Sequence, residues 1–88
     1  MAPKKPLLEQ MRLNVKADWD INAIRKLCDE HGIELQPPSN GSHYKAVSPY
    51  LGGHQTIPYK RPIKPIYIRK LVEMIDAHLA VKSQVEKE

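Results

Sequence analysis

Two stretches of the chain repeat mainly apolar residues at the spacing of an amphipathic helix. The first stretch follows Asp18 and Asp20, either of which can act as an N-cap, and it ends at Gly32. Its stripe consists of Ile21, Ile24, Leu27, Cys28 and His31. The second stretch opens at Pro65, a residue that suits a first helical turn, and its stripe consists of Ile68, Leu71, Val72, Ile75 and Leu79. These spacings predict helices over residues 20–31 and 65–79.

Between the two helices the pattern changes to short alternating runs. Residues 33–36, 42–48 and 54–59 predict three strands, separated by turns rich in proline and glycine at 37–41 and 49–53. Two amphipathic helices can bury their stripes on one face of such a sheet. The order helix, strand, strand, strand, helix (α-β-β-β-α) therefore predicts an α+β fold, with a three-stranded antiparallel sheet and both helices on one face.

The second strand presents different residues to the two faces of the predicted sheet. Its alternation puts Tyr44 and Ala46 on one face and His43, Lys45 and Val47 on the other. Because the helices cover only one face, we expect His43 and Lys45 to face water.

The size of the chain, 88 residues, allows one small domain. The apolar residues of 1–17 follow no clean period, so we expect a flexible arm there, a domain over 18–81 and a frayed, charged tail over 82–88.

Cys28 lies in an apolar stripe, which favours core packing over a reactive thiol. With one cysteine, no apolar signal segment and no apolar run long enough for a membrane span, the chain is expected to be cytoplasmic, with no membrane partner.

Charge is unevenly distributed along the chain. The span 35–72 contains no acidic residue and carries a charge of +6, whereas the remainder sums to −2. The six basic residues of the span are Lys45, Lys60, Arg61, Lys64, Arg69 and Lys70. Such segregation favours a polyanionic partner, above all nucleic acid. The alternatives are a solvated basic surface without a ligand and a surface for an acidic protein.

Several chemistries do not fit the residues present. The four histidines, at positions 31, 43, 54 and 78, match no compact zinc pattern, so we expect no metal and no other cofactor. Ser42 and His43 are neighbours in a strand and point to opposite faces, which excludes a nucleophile–base pair. The remaining chemistry is proton transfer by an imidazole that an anionic substrate can reach, at His43. From the residues alone, an exposed turn histidine without a role is an equal alternative.

Three short motifs together resemble a known family. They are Gly41-Ser42-His43, Thr56-Ile57-Pro58, and Lys64-Pro65 at the start of the last helix. Their order and spacing are similar to those of the HicA toxins of bacterial HicA–HicB toxin–antitoxin pairs, and the resemblance runs from about residue 19 to residue 79. The chain departs from the family at Ala46, where an aromatic residue is frequent.

The resemblance implies a double-stranded-RNA-binding-domain-like fold and a toxin ribonuclease, or mRNA interferase, that a HicB-like antitoxin protein neutralises. It maps the catalytic histidine onto His43 and assigns no role to His54. Combined with the charge pattern, it predicts metal-independent cleavage of RNA by acid–base catalysis at His43, and the resemblance implies mRNA as the substrate. The residues expected to contact RNA are Gly41, Ser42, Lys45, Lys60, Arg61, Lys64, Arg69 and Lys70. A non-catalytic RNA-binding module of the same fold and a protein-interaction domain are the alternatives.

Overall fold

The structure, a computed structural model, describes residues 6–39 and 41–86. Its elements in chain order are α1 (Leu7–Leu13), α2 (Ile21–His31), β1 (Glu34–Gln36), β2 (His43–Val47), β3 (Gln55–Pro58) and α3 (Pro65–Glu86). The predicted α+β class, and the predicted order from α2 onward, are confirmed. Each strand is slightly shorter than the sequence pattern predicted. Asn40, in the turn predicted at 37–41, lies outside the described residues.

The three strands form one antiparallel sheet in the order β1-β2-β3, so β2 is the central strand. Ala46 of β2 is buried, as expected for the face opposite His43, and so is Ile57 of β3. They belong to the same core cluster as Leu27 of α2 and Leu71 and Ile75 of α3. The core therefore lies between the sheet and the helices, and the other sheet face is left to solvent.

Local signals set both ends of α2. The Asp20 side chain accepts a hydrogen bond from the Ala23 amide at 3.0 Å, so Asp20, rather than Asp18, is the N-cap. Gly32 ends the helix with φ of 70°, in the left-handed region that favours glycine. Cys28 is fully buried in the core, as predicted, and burial raises the pKa of its thiol to about 12.

The long helix α3 departs from its predicted stripe at three positions, because Met74 and His78 are buried and Leu79 is not. His78 is 1% exposed, whereas Leu79, which the pattern placed in the stripe, is only half-buried. The helix also continues to Glu86, so the tail predicted to fray from residue 82 is helical as far as it is described. Residues 87 and 88 of that tail lie outside the described residues. No helix in the described ranges is long and apolar enough to span a bilayer.

A short helix replaces part of the flexible arm predicted for residues 1–17. Leu8 and Met11 of α1 are buried, and α1 packs against α3. Arg12 donates two hydrogen bonds to the Asp76 carboxylate, from Nη1 at 2.6 Å and Nη2 at 2.9 Å. These contacts hold the segment on the domain, which is why the expectation of a flexible arm fails there. Residues 1–5 of the predicted arm lie outside the described residues.

Candidate nucleic-acid interface and active site

The solvent-facing side of the sheet carries the residues singled out by the sequence. His43 and Lys45 are both exposed, which confirms their predicted orientation. Since a strand rises about 3.3 Å per residue, their Cα atoms lie roughly 7 Å apart on the same face. Lys45 lies between Gln36 of β1 and Thr56 of β3 in the sheet register. An anion that contacts the Lys45 ammonium can therefore reach the imidazole of His43.

His43 is the first residue of β2, directly after the turn that leads into the sheet. Gly41 has φ of 103°, a conformation that side chains disfavour, and it precedes the exposed Ser42. The Ser42 carbonyl accepts a hydrogen bond from the Tyr59 amide at 3.1 Å, which extends the β2–β3 pairing by one residue. His43 is the partner of Pro58 at the next position. The Gly-Ser-His turn is thus attached to the edge strand β3.

Two other polar residues at the sheet lie too far from His43 to share its chemistry. Glu34 is on the same exposed face, opposite Val47, where its Oε2 accepts a hydrogen bond from Gln36 Nε2 at 3.1 Å. Val47 is four residues from His43, a separation of about 13 Å along the strand. His54 directly precedes β3, at the end of the sheet opposite the His43–Pro58 pair, and is not in the strand as predicted. Neither side chain can contact the same small chemical group as His43.

The segment between β3 and α3, residues 60–64, is hereafter the basic connector. Its middle is anchored to the segment before α2: Ile63 is buried, and its amide donates to the Trp19 carbonyl at 3.0 Å. The Arg61 guanidinium donates to both carboxylate oxygens of Asp18, from Nε at 3.0 Å and Nη2 at 2.7 Å. These hydrogen bonds lower the pKa of Asp18 and raise that of Arg61. The Arg61–Pro62 peptide bond is cis.

A groove of about 380 Å³ opens between the basic connector, the end of β3 and the first turn of α3. This connector groove is lined by Pro58, Lys60, Arg61, Pro62, Lys64 and Tyr67. Lys60 and Lys64 are exposed, and neither forms an ion pair with any described residue. Pro58 lines the groove and is also the cross-strand partner of His43. The groove is therefore adjacent to the histidine, with two unpaired cations at its walls.

The remaining basic residues predicted to contact RNA are placed elsewhere. Arg69 lines a different groove, beside α1, together with Arg12, Glu73 and Asp76. Tyr67 and Arg69 are two residues apart in a helix, so they lie on well-separated flanks of α3. Lys70 is exposed on α3. The structure thus brings together Lys60, Arg61 and Lys64 at the connector groove and separates Arg69 from them.

A buried polar cluster connects three elements away from this site. Nε2 of His78 donates to the His31 carbonyl at 2.6 Å, because a carbonyl can only accept. In the tautomer that carries its proton on Nε2, Nδ1 accepts from the Ser48 hydroxyl at 2.6 Å. The Ser48 oxygen in turn accepts from the Tyr50 amide at 3.1 Å. Every polar atom in this cluster has a hydrogen-bond partner. The role of the cluster is therefore structural, since it joins α3 to the ends of α2 and β2.

Neither a group of metal ligands nor a known relative gives further information about this site. Within residues 6–39 and 41–86, no three histidine, cysteine, aspartate or glutamate side chains form a group that could hold a metal ion. The chain matches no protein-family model, and neither a curated protein nor a solved structure is significantly similar to it.

Proposed function

We propose that this protein is a ribonuclease that cleaves RNA by acid–base catalysis at His43, as HicA toxins do. The observation that carries the proposal is the placement of His43. Its imidazole is exposed at the end of the central strand, on the same face as Lys45 and next to a groove walled by Lys60 and Lys64. A proton-transfer group surrounded by unpaired cations suits a substrate that contains phosphodiesters.

The proposed reaction uses the 2′-hydroxyl of the RNA as its nucleophile. His43 removes the proton from this hydroxyl, and the 2′-oxygen attacks the adjacent phosphorus. The bond from phosphorus to the 5′-oxygen breaks, and that oxygen takes a proton from water. The products are a 2′,3′-cyclic phosphate and a 5′-hydroxyl end. In the alternative assignment, protonated His43 gives its proton to the leaving 5′-oxygen and water accepts the 2′-proton.

Lys45 supplies the electrostatic part of this mechanism. Negative charge grows on the non-bridging oxygens as the phosphorane forms, and an ammonium group about two strand positions from the imidazole can stabilise it. Lys60 and Lys64 then bind neighbouring phosphates and hold the strand in place. DNA should bind but resist cleavage, because it lacks the 2′-hydroxyl.

The proposal extends to fold family and partner. The α2-β1-β2-β3-α3 unit, with its sheet covered on one side by helices, is compatible with a double-stranded-RNA-binding-domain-like fold, to which α1 is an addition. As for HicA toxins, we propose mRNA as the substrate and a HicB-like antitoxin protein as the neutralising partner.

Cleavage by purified variants tests the proposal. His43→Ala should reduce the cleavage rate by about 10²- to 10⁴-fold, the usual contribution of a positioned acid or base. His54→Ala is the matched control, since it removes an exposed histidine at the far end of the sheet, and it should cleave normally. The wild-type product should end in a 2′,3′-cyclic phosphate, a chelator should leave the rate unchanged, and a 2′-deoxy nucleotide at the cut should block the reaction.

Other outcomes distinguish the alternatives. If wild-type protein binds RNA but cuts none, or if His43→Ala cuts equally well, the catalytic assignment fails and a non-catalytic RNA-binding module replaces it. If no RNA binds at moderate salt, the basic surface serves a protein partner. In cells, wild-type protein should stop growth unless an antitoxin is co-expressed, and His43→Ala should not stop it.

A further inference from the structure

The connector groove combines apolar walls with cations. Pro58 and Pro62 supply flat apolar surfaces, and the Tyr67 ring, which is half-buried against the core, adds an aromatic one. Lys60 and Lys64 lie at the same groove with their charges unpaired. Arg61 also lines it, but its charge is opposed by Asp18, so that this ion pair shapes the wall without adding net charge.

This combination matches the chemistry of a nucleotide. Nucleobases stack on aromatic side chains, and this stacking is tolerant of sequence because every base has a π-face. Lysine ammonium groups bind the phosphates on either side of a base. A volume of about 380 Å³ lies at the small end of the range of ligand sites, which suits one base and not a base pair within a duplex.

We propose that the connector groove binds one unpaired nucleotide of the RNA, with its base on Tyr67 and the two prolines and its flanking phosphates at Lys60 and Lys64. Nucleotide binding at this subsite rests on the proposed function only in taking RNA as the ligand, whereas its effect on the cleavage position also rests on catalysis at His43. Tyr67 is a binding residue that no sequence motif indicated. Because Pro58 lines the groove and is the cross-strand partner of His43, the bound nucleotide lies next to the bond being cut. Cleavage is therefore directed to unpaired positions.

The first experiment measures RNA affinity by fluorescence anisotropy, with the full His43→Ala chain so that the RNA stays intact. Tyr67→Leu keeps an apolar side chain against the core but removes the ring, and it should weaken binding of a short single-stranded RNA by about 5- to 100-fold, the range found for lost base stacking. Tyr67→Phe keeps the ring and should bind normally. Tyr59→Leu, at a tyrosine that is exposed and outside the groove, is the matched control and should also bind normally.

The second experiment keeps Tyr67 in place and so does not depend on how its variants fold. The same RNA, with 2-aminopurine at each position in turn, is titrated with the His43→Ala chain. At one position the fluorescence should fall on binding, because the base at that position stacks in the connector groove. A fully paired duplex of the same sequence should compete poorly.

The outcomes separate the subsite from the proposed function. Salt-dependent RNA binding without 2-aminopurine quenching at any position, or with equal affinity for Tyr67→Leu, overturns the nucleotide subsite and leaves the ribonuclease proposal intact. Equal competition by the duplex also overturns it. Failure of the chain to bind any RNA overturns both.

Discussion

The buried contacts of His78 predict a large effect on stability from a substitution far from the candidate site. His78 is 1% exposed, and both ring nitrogens form hydrogen bonds of 2.6 Å, to the His31 carbonyl and to Ser48 Oγ. His78→Leu replaces the ring by an apolar group of comparable size, so the cavity contribution is small. The main cost comes from two polar groups that lose their partner.

The size of the effect follows from those two groups. A buried polar group left without a hydrogen bond costs about 1–3 kcal/mol. The His31 carbonyl is at the end of a helix, where water can reach it after the substitution, and so it belongs at the low end of that range. The Ser48 oxygen still accepts from the Tyr50 amide, but its buried hydroxyl hydrogen is left without an acceptor, so Ser48 belongs higher in that range. We expect His78→Leu to lower the free energy of unfolding by about 2–4 kcal/mol, a large part of the roughly 4–13 kcal/mol available to a domain of this size.

Urea unfolding followed by far-UV circular dichroism measures this change, with Ser48→Ala completing a double-mutant cycle. Because Ser48 and His78 are partners, the double variant should lose less than the sum of the single losses, by about 0.5–3 kcal/mol. Ser83→Leu, at an exposed position of the same helix, is the matched control and should stay within about 0.5 kcal/mol of wild type. A loss below that limit for His78→Leu, or strict additivity in the cycle, would refute the reasoning.

Two ion pairs give further predictions. Hydrogen bonds from Arg12 lower the pKa of Asp76, so its pKa in the folded state lies below the unfolded value of about 3.9. The ion pair therefore stabilises the fold fully above the unfolded pKa. This stabilisation is lost as the pH falls through the folded-state pKa. In urea titrations, Asp76→Asn should therefore have a lower free energy of unfolding than wild type at pH 7, and this difference should vanish in acid. A difference that does not change with pH would contradict the reasoning. For RNA binding, Lys60→Gln should reduce the slope of log affinity against log salt concentration by about 0.7, the value for one single-strand phosphate contact. Arg61→Gln should reduce this slope by less, because Asp18 already opposes the charge of Arg61. Asp18→Asn should steepen the slope, and equal slope losses for Lys60→Gln and Arg61→Gln would show that the pair does not restrain Arg61.

Periodicity alone predicted most of the framework around the site. The stripes of α2 and α3, the three strands and the exposure of His43 and Lys45 all follow from the spacing of apolar residues, because burial of one face imposes that spacing. The ends of α2 were also predictable from the sequence, because capping residues act within one turn of the chain.

Features that depend on distant contacts were not predictable in this way. The helix α1 buries only Leu8 and Met11, too few residues to show a period, and its docking on α3 involves a pair of residues 64 positions apart. The Arg61–Asp18 pair joins residues 43 positions apart. The connector groove likewise exists only once β3, the basic connector and α3 are assembled, so that Tyr67 carried no signal in the sequence.

The orientation of His43 is set by residues that have no part in its proposed chemistry. A slip of one residue in β2 would turn Ala46 to solvent and His43 into the core, which burial of Ala46 opposes. Pro58 adds a second constraint. The Tyr59 amide donates to Ser42, so the adjacent His43–Pro58 pair occupies a position without ladder hydrogen bonds, the kind that proline, with no amide hydrogen, can occupy without loss. A one-residue shift of β3 against β2 would put Pro58 where a donor is needed, so the proline that borders the groove also fixes the register in which β3 pairs with His43.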